Sequence, residues 1–163
     1  MLPGFLPVMP PKQLLAWQES AGRPAEVPRF LVDRLCWEEF VAEVARVYET
    51  LPAEDQNECV IFTPSYHSAG AIDFFGKEYG LPPARSSHNN YWLWGPGDRS
   101  YDVVIIVGVP KTSLERMFGE IVEAGRTSCE YTDRMSRNDA PVYVCREPKH
   151  PIAEVWARAK EFI

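Results

Sequence analysis

Between positions 36 and 51 apolar residues return every third or fourth place. Trp37, Phe40, Val41, Val44, Val47, Tyr48 and Leu51 fall on one side, and Glu38, Glu39, Glu43 and Arg46 on the other. That period lays one face of an α-helix against a core and leaves the other wet, and Pro52 ends it. The polar run 54–57 reads as a loop into a short apolar segment, 59–63, of the length of a buried strand. A second helix, from about 68 to 79, turns Ile72, Phe75 and Tyr79 inward and stops at Gly80, Leu81, Pro82 and Pro83. Residues 84–89 predict a short strand, and 90–97 an aromatic loop closing on Gly95, Pro96, Gly97 and Asp98.

The strongest strand signal is 103–107, which is β-branched throughout and apolar without alternation, as a central strand covered on both faces should be. Thr112 and Glu115 then form a capping-box pattern ahead of Leu114, Met117, Phe118 and Ile121, which predicts a helix. Residues 121–126 and 142–146 read as strands separated by a polar loop. Pro151 opens a last helix that buries Ile152, Val155, Trp156, Ala159 and Phe162. Strands alternating with helices imply right-handed crossovers. The expected class is therefore α/β, a three-layer, mainly parallel, Rossmann-like sheet with helices on both faces, spanning 35–163 as a single domain. Residues 1–34 form a proline-rich arm (Pro3, Pro7, Pro10, Pro11, Pro24, Pro28), in which Pro11 opens a short helix that lays Trp17 against the body.

Composition narrows the function. The 163 residues are 45% hydrophobic and 25% charged, ordinary globular usage, with a net charge of −6 and no Lys/Arg stripe. That argues against nucleic acid as a partner. No stretch approaches the roughly 20 apolar residues of a membrane span, and the N-terminus lacks the regions of a signal peptide, so a stand-alone chain is expected in the cytoplasm. Cys36, Cys59, Cys129 and Cys145 include no C-x-x-C pair. Cys129 and Cys145 flank a strand-turn-strand region and could bridge in an oxidising compartment, with buried free thiols the preferred reading.

In open α/β sheets ligands bind at the carboxyl ends of the strands. That rule selects residues 63–68, 86–94 and 108–112. The first leads into a helix N-terminus that favours an anion or a carbonyl oxygen, and Gly70 would allow a close backbone approach. The second combines His88, Asn89 and Asn90 with Tyr91, Trp92 and Trp94, and aromatic faces beside amides suit a sugar. Packing of the same rings against the sheet edge is the competing reading. His67 or His88 with Ser65, Ser68, Ser86 or Ser87 would make a nucleophile and base, but no G-x-S-x-G elbow is present and Asp73 lies on the following helix. Metal binding by the two histidines lacks a third ligand, His150 reads as a solvated loop residue, and no nucleotide-binding glycine pattern occurs, so no cofactor is implied.

Several segments resemble a known family: Leu6 to Pro11, Trp37-Glu38-Glu39, Ala69 to Gly76, Gly80-Leu81-Pro82, and above all Ser86 to Pro96 with its His88-Asn89-Asn90-Tyr91-Trp92-Leu93-Trp94 run. Pro141 to Arg146 and Pro151 to Trp156 also fit, so the likeness covers nearly the whole chain. Together they are similar to the C-terminal soluble domain of bacterial family-39-type membrane glycosyltransferases, proteins that resemble the protein mannosyltransferases that use polyprenyl-phosphate sugars. The resemblance implies an extracytoplasmic domain beside a membrane bundle that holds the acidic catalytic loop; nothing in this chain corresponds to that loop. The chain departs from it at two places: His67-Ser68 stands where relatives commonly carry Gly-Glu, and Ser87 where they carry glycine, so no acid/base role is carried over for the first loop.

The expectation is a non-catalytic accessory domain of a membrane glycosyltransferase-like protein. It would bind or position a glycan, an acceptor or a polyprenyl-phosphate headgroup through Tyr66, His67, Ser68, His88, Asn89, Asn90, Tyr91 and Trp94, next to the transmembrane part of its parent. The alternatives are a structural or assembly domain without a ligand, in which Tyr91, Trp92 and Trp94 are all fully buried, and a small Ser/His hydrolase.

Overall fold

The computed structural model describes residues 9–32, 34–131 and 138–162. Within them Val103–Val107 (β3) is buried along its whole length, as five consecutive branched residues require. It pairs in parallel with Val60–Phe62 (β1), in the register Val60 to Val104 and Phe62 to Ile106. On its other edge it pairs antiparallel with Pro141–Pro148 (β5). Ala84–Arg85 (β2) extends the sheet parallel to β1, and Phe118–Arg126 (β4) extends it antiparallel to β5, giving the order β2-β1-β3-β5-β4.

The fold is α/β, but the sheet is mixed rather than mainly parallel: two of its four strand pairings are parallel and two antiparallel. The difference arises after β3. Helix formation at Lys111–Leu114 (α7) lasts one turn, with Pro110 at its cap and no side-chain capping bond from the Thr112/Glu115 pattern. The Leu114, Met117, Phe118, Ile121 spacing mimics a helical face. Gly119 disfavours a helix there, and the β5 ladder offers partners to the backbone groups along one edge, so the segment becomes a hairpin strand.

Alternate residues of β3 enter opposite cores, following the two-residue period of a strand. Val103, Ile105 and Val107 join a cluster with Phe40, Val44 and Val47 of Trp37–Glu49 (α3) and Ala69 and Ile72 of Tyr66–Phe75 (α5). Val104 and Ile106 join Leu114, Phe118, Tyr143 and Cys145, with Ile152 of Ile152–Arg158 (α8) packed against them. Pro52 caps a further short helix, Ala53–Glu58, over the run read as a loop; Glu54 and Asp55 in its first turn favour the dipole, and Asp55 pairs with Arg146 at 2.7 Å.

Three residues lie differently from expectation. Tyr79, in the 3-10 turn Gly76–Tyr79 that follows α5, is exposed rather than inward. Phe162 lies beyond the end of α8 and is also exposed. In Pro11–Ser20, the arm helix, Leu14 is the buried anchor while Trp17 is half-buried under the Arg23 guanidinium. Pro3, Pro7 and the matched residues Leu6 to Val8 lie outside the described residues, as do positions 132–137 of the polar loop.

Two ties bind α3 to the end of β4. Cys36 and Cys129 form a disulfide across a sequence separation of 93, whereas Cys145, the partner weighed for Cys129, stays free and buried, as does Cys59. Cys145 sits within the β5 ladder, and burial pushes both free thiols up to about 12, far from a reactive thiolate. The second tie uses a register irregularity between Glu123 and Gly125, where the Ala124 carbonyl accepts from Arg46 Nη2 at 2.8 Å. Glu43 accepts from Arg46 Nη2 at 2.7 Å and from the Arg126 backbone N–H at 3.1 Å. A Cβ at Gly125 would collide with Glu43 and Arg46, so the clamp depends on glycine there.

Cys129→Ser is expected to lower stability by about 2–4 kcal/mol, and reductant should move the wild-type urea midpoint to that of the variant. The hydrogen bond from Arg46, its charge and the Arg126 N–H hold the Glu43 carboxyl below its ordinary 4.5, against burial. A depressed folded-state value means the clamp stabilises fully above pH 4.5 and loses this contribution as pH falls through the lower value. Glu43→Gln should therefore flatten the acid limb of a Tm-against-pH curve.

Candidate functional site

The parallel half of the sheet directs the carboxyl ends of β1, β2 and β3 the same way, so the loops 63–68, 86–94 and 108–112 all leave one end of it. The first loop is tightly tied. Thr63 is fully buried, its N–H donating to Arg85 O at 3.0 Å and its hydroxyl to Ser65 O at 2.9 Å. Ser65 caps α5 by accepting from the His67 N–H at 3.2 Å. Its Oγ also lies 3.3 Å from His67 Nδ1.

At the first turn of α5 three rings meet. Tyr66 packs on His67 with centroids 3.8 Å apart and meets His88 edge-on at 4.9 Å. His88 is buried at 8% exposure, its backbone N–H donates to Ser86 Oγ, and its ring Nε2 has no hydrogen-bond partner. It is the one buried side-chain polar atom in that position among the described residues. Next to it Asn89 holds φ 52 and ψ −131, a conformation that costs an asparagine of order 1–3 kcal/mol. The strain is offset by the chain's last described residues: the Asn89 N–H donates to Glu161 O at 2.9 Å and the Glu161 N–H to Ser87 O at 3.0 Å.

The expected aromatic loop contains a helical turn, Asn90–Leu93 (α6). Tyr91 donates from its hydroxyl to Asp73 Oδ2 at 2.6 Å, while Asp73 Oδ1 accepts from the Ala84 N–H at 2.7 Å. One carboxyl group thus joins α5, β2 and α6, and burial followed by this hydrogen bond pushes the Tyr91 phenol well up. Trp92 and Trp156 exchange bonds, each indole N–H donating to the other's carbonyl, at 2.9 and 3.1 Å. Trp94 packs against Tyr91 at 4.6 Å and is 65% exposed.

Of the eight candidate residues, Tyr66, His67 and His88 form one cluster and Tyr91 and Trp94 a second, both set against α5, at its start and two turns on. Asn90 is exposed on α6, Asn89 is half-buried between the clusters in sequence, and Ser68 is buried within α5. The third loop belongs elsewhere: Gly108 donates to Pro141 O, and Val109 packs into the core on the other side of the sheet. Gly70 is not needed for a close approach, since a Cβ there would find only the Tyr91 hydroxyl, at 3.9 Å.

Tyr91 and Trp92 are half-buried and Trp94 exposed, so the condition for a purely structural aromatic loop, burial of all three rings, is not met. Asp73, set aside in the sequence because it follows the first loop on a helix, is the residue that positions the second loop; its seven-residue offset from Tyr66 carries it two turns along α5. Glu161 and Trp156, far away in sequence, carried no signal for their place beside residues 87–92.

Comparison with models of protein families, with curated proteins and with solved structures found no match to this chain.

Tyr91→Phe removes a hydrogen bond to a carboxyl group that also holds β2, and should cost about 1.5–3 kcal/mol in urea denaturation. Trp94→Ala, at an exposed ring, should change stability by no more than about 0.5 kcal/mol.

Proposed function

We propose that this chain is a non-catalytic binding domain whose crevice along the first turns of α5 takes a glycan or a sugar-phosphate headgroup. The observation that carries the reading is His88, whose buried Nε2 lacks a partner and whose ring meets Tyr66 edge-on, with His67 stacked on Tyr66 in turn. An orphaned buried polar atom is costly, and a ligand hydroxyl or phosphate oxygen reaching it would recover a hydrogen bond. Trp94 supplies an open ring face for the C–H side of a sugar, and Asn90 an exposed amide for its hydroxyls.

In this reading the domain is the accessory part of a membrane glycosyltransferase-like parent and lies at the extracytoplasmic face of a bacterial membrane, with the transferred sugar handled by membrane helices. Two facts support the placement. The Cys36–Cys129 disulfide suits an oxidising compartment. No helix among the described residues is long and apolar enough to cross a membrane, so membrane-embedded chemistry would belong to another part of the parent. A three-layer arrangement, α3 and α5 on one side of the sheet and α7 and α8 on the other, completes the proposed architecture.

A hydrolase reading has less support. Ser65 Oγ does lie 3.3 Å from His67 Nδ1, but Asp73, the carboxylate on the same helix, is engaged by Tyr91 and Ala84 instead of orienting that histidine. The reciprocal Trp92–Trp156 bonds favour a bracing role for that one pair of rings within the binding domain.

Titrating the chain with saccharides and with polyprenyl-phosphate analogues, read by tryptophan fluorescence, should give a saturable change. Trp94→Ala should weaken binding about three- to tenfold, and Asn90→Ala and His88→Ala should weaken it as well. A flat response to both ligand classes, with the fold intact by circular dichroism, would remove the proposal.

A further inference from the structure

The face of the sheet opposite α3 and α5 holds a feature that the crevice does not use. Beneath α8 lies a cavity of about 200 Å³ whose lining is wholly apolar, with Phe62 of β1, Ile106 of β3, Val109, Leu114 of α7, and Val155 and Trp156 of α8 among its walls. Trp156 presents only ring to it, because its indole N–H is engaged by Trp92 O. Interiors are packed almost without voids, and an apolar void this large forfeits the contacts its lining would otherwise make. A space lined in this way offers water no partner and accepts hydrocarbon; about 150 Å³ of enclosed apolar space suffices for benzene.

The cavity is not sealed. It shares Tyr101, Met117, Phe118, Ile152 and Val155 with a second hollow, whose remaining walls include Ser100, Lys149 and His150. Lys149 commits one of its three donors to Glu115 O, at 2.7 Å, and is exposed there. The two adjoining hollows thus offer an apolar end and a polar, cationic end, the profile of an amphiphile with an anionic head. We propose that it binds a medium-chain fatty acid of about six to eight carbons, the tail beneath α8 and the carboxylate at Lys149.

The test uses the whole chain with methyl-labelled Ile, Leu and Val, titrated with straight-chain acids from butanoate to dodecanoate. Saturable shifts are expected at the Ile106, Val109 and Leu114 methyls. Affinity should rise about fourfold per added CH₂ up to about octanoate and then level off, since further methylenes stay in water. Lys149→Ala should weaken octanoate and leave octanol unchanged. Ala159→Phe, filling the cavity from the half-buried end of α8, should abolish both. Trp94→Ala should leave octanoate binding intact, which separates this site from the crevice. Shifts that do not saturate, affinity independent of chain length, or shifts confined to methyls elsewhere would overturn the assignment, and the chain-length series on the wild-type protein decides between these outcomes even if a variant fails to fold.

Discussion

Five consecutive branched residues at 103–107 can be buried only if both faces of their strand are covered and both edges are paired. β3 meets that demand with a parallel neighbour on one side and an antiparallel one on the other. The consequence is a division of the sheet. Its parallel half needs crossovers that pass over a face, so it carries α5 and the loops at the carboxyl ends of β1 and β2. Its antiparallel half closes on itself as a hairpin, while the second core and the apolar cavity beneath α8 draw on β1, β3 and β4 alike. The two candidate regions meet at Trp156, which walls the cavity and exchanges hydrogen bonds with Trp92.

Around the start of α5, rigidity and strain sit side by side. Thr63 and Ser65 fix the start of α5 through short local bonds and Asp73 ties its later turn to β2 and α6, while Asn89 is held in an unfavourable conformation by Glu161. A buried imidazole without a partner lies between these elements. Such a combination persists where the surrounding structure over-determines the backbone, as the hydrogen bonds of Glu161 and the exchanged bonds of Trp92 and Trp156 do here.

What the sequence made legible follows from the range of each interaction. The helix at 37–49, the arm helix, β1 and β3 rest on local period and on proline, and they appear where the pattern puts them. The helix expected over Phe118 to Ile121 failed because three- and four-residue spacing is also what a bulged hairpin strand with Gly119 can show, and the deciding partner, β5, lies some twenty residues on. The residues 54–57 form a helical turn because Pro52 starts it and Arg146 holds Asp55, the second of which is invisible locally. Cysteine pairing was equally out of reach: Cys36 and Cys129 meet only because α3 crosses the end of β4. In the crevice, the loop positions followed from topology, whereas Asp73, Trp156 and Glu161 could be placed only by tertiary contacts.

Among the described residues β4 ends the sheet on the side away from β2, and its outward-pointing backbone donors and acceptors form an open row. Such an edge invites another chain to add a strand and start a polymer. Here Arg46 takes the Ala124 carbonyl and Glu43 takes the Arg126 N–H, so one helical ion pair stands in for part of a missing neighbour. Glu120, Glu123 and Arg126 keep the rest of the margin charged and wet. The same clamp that fastens α3 to the hairpin therefore guards the molecule against fibrous self-association when many copies are crowded together.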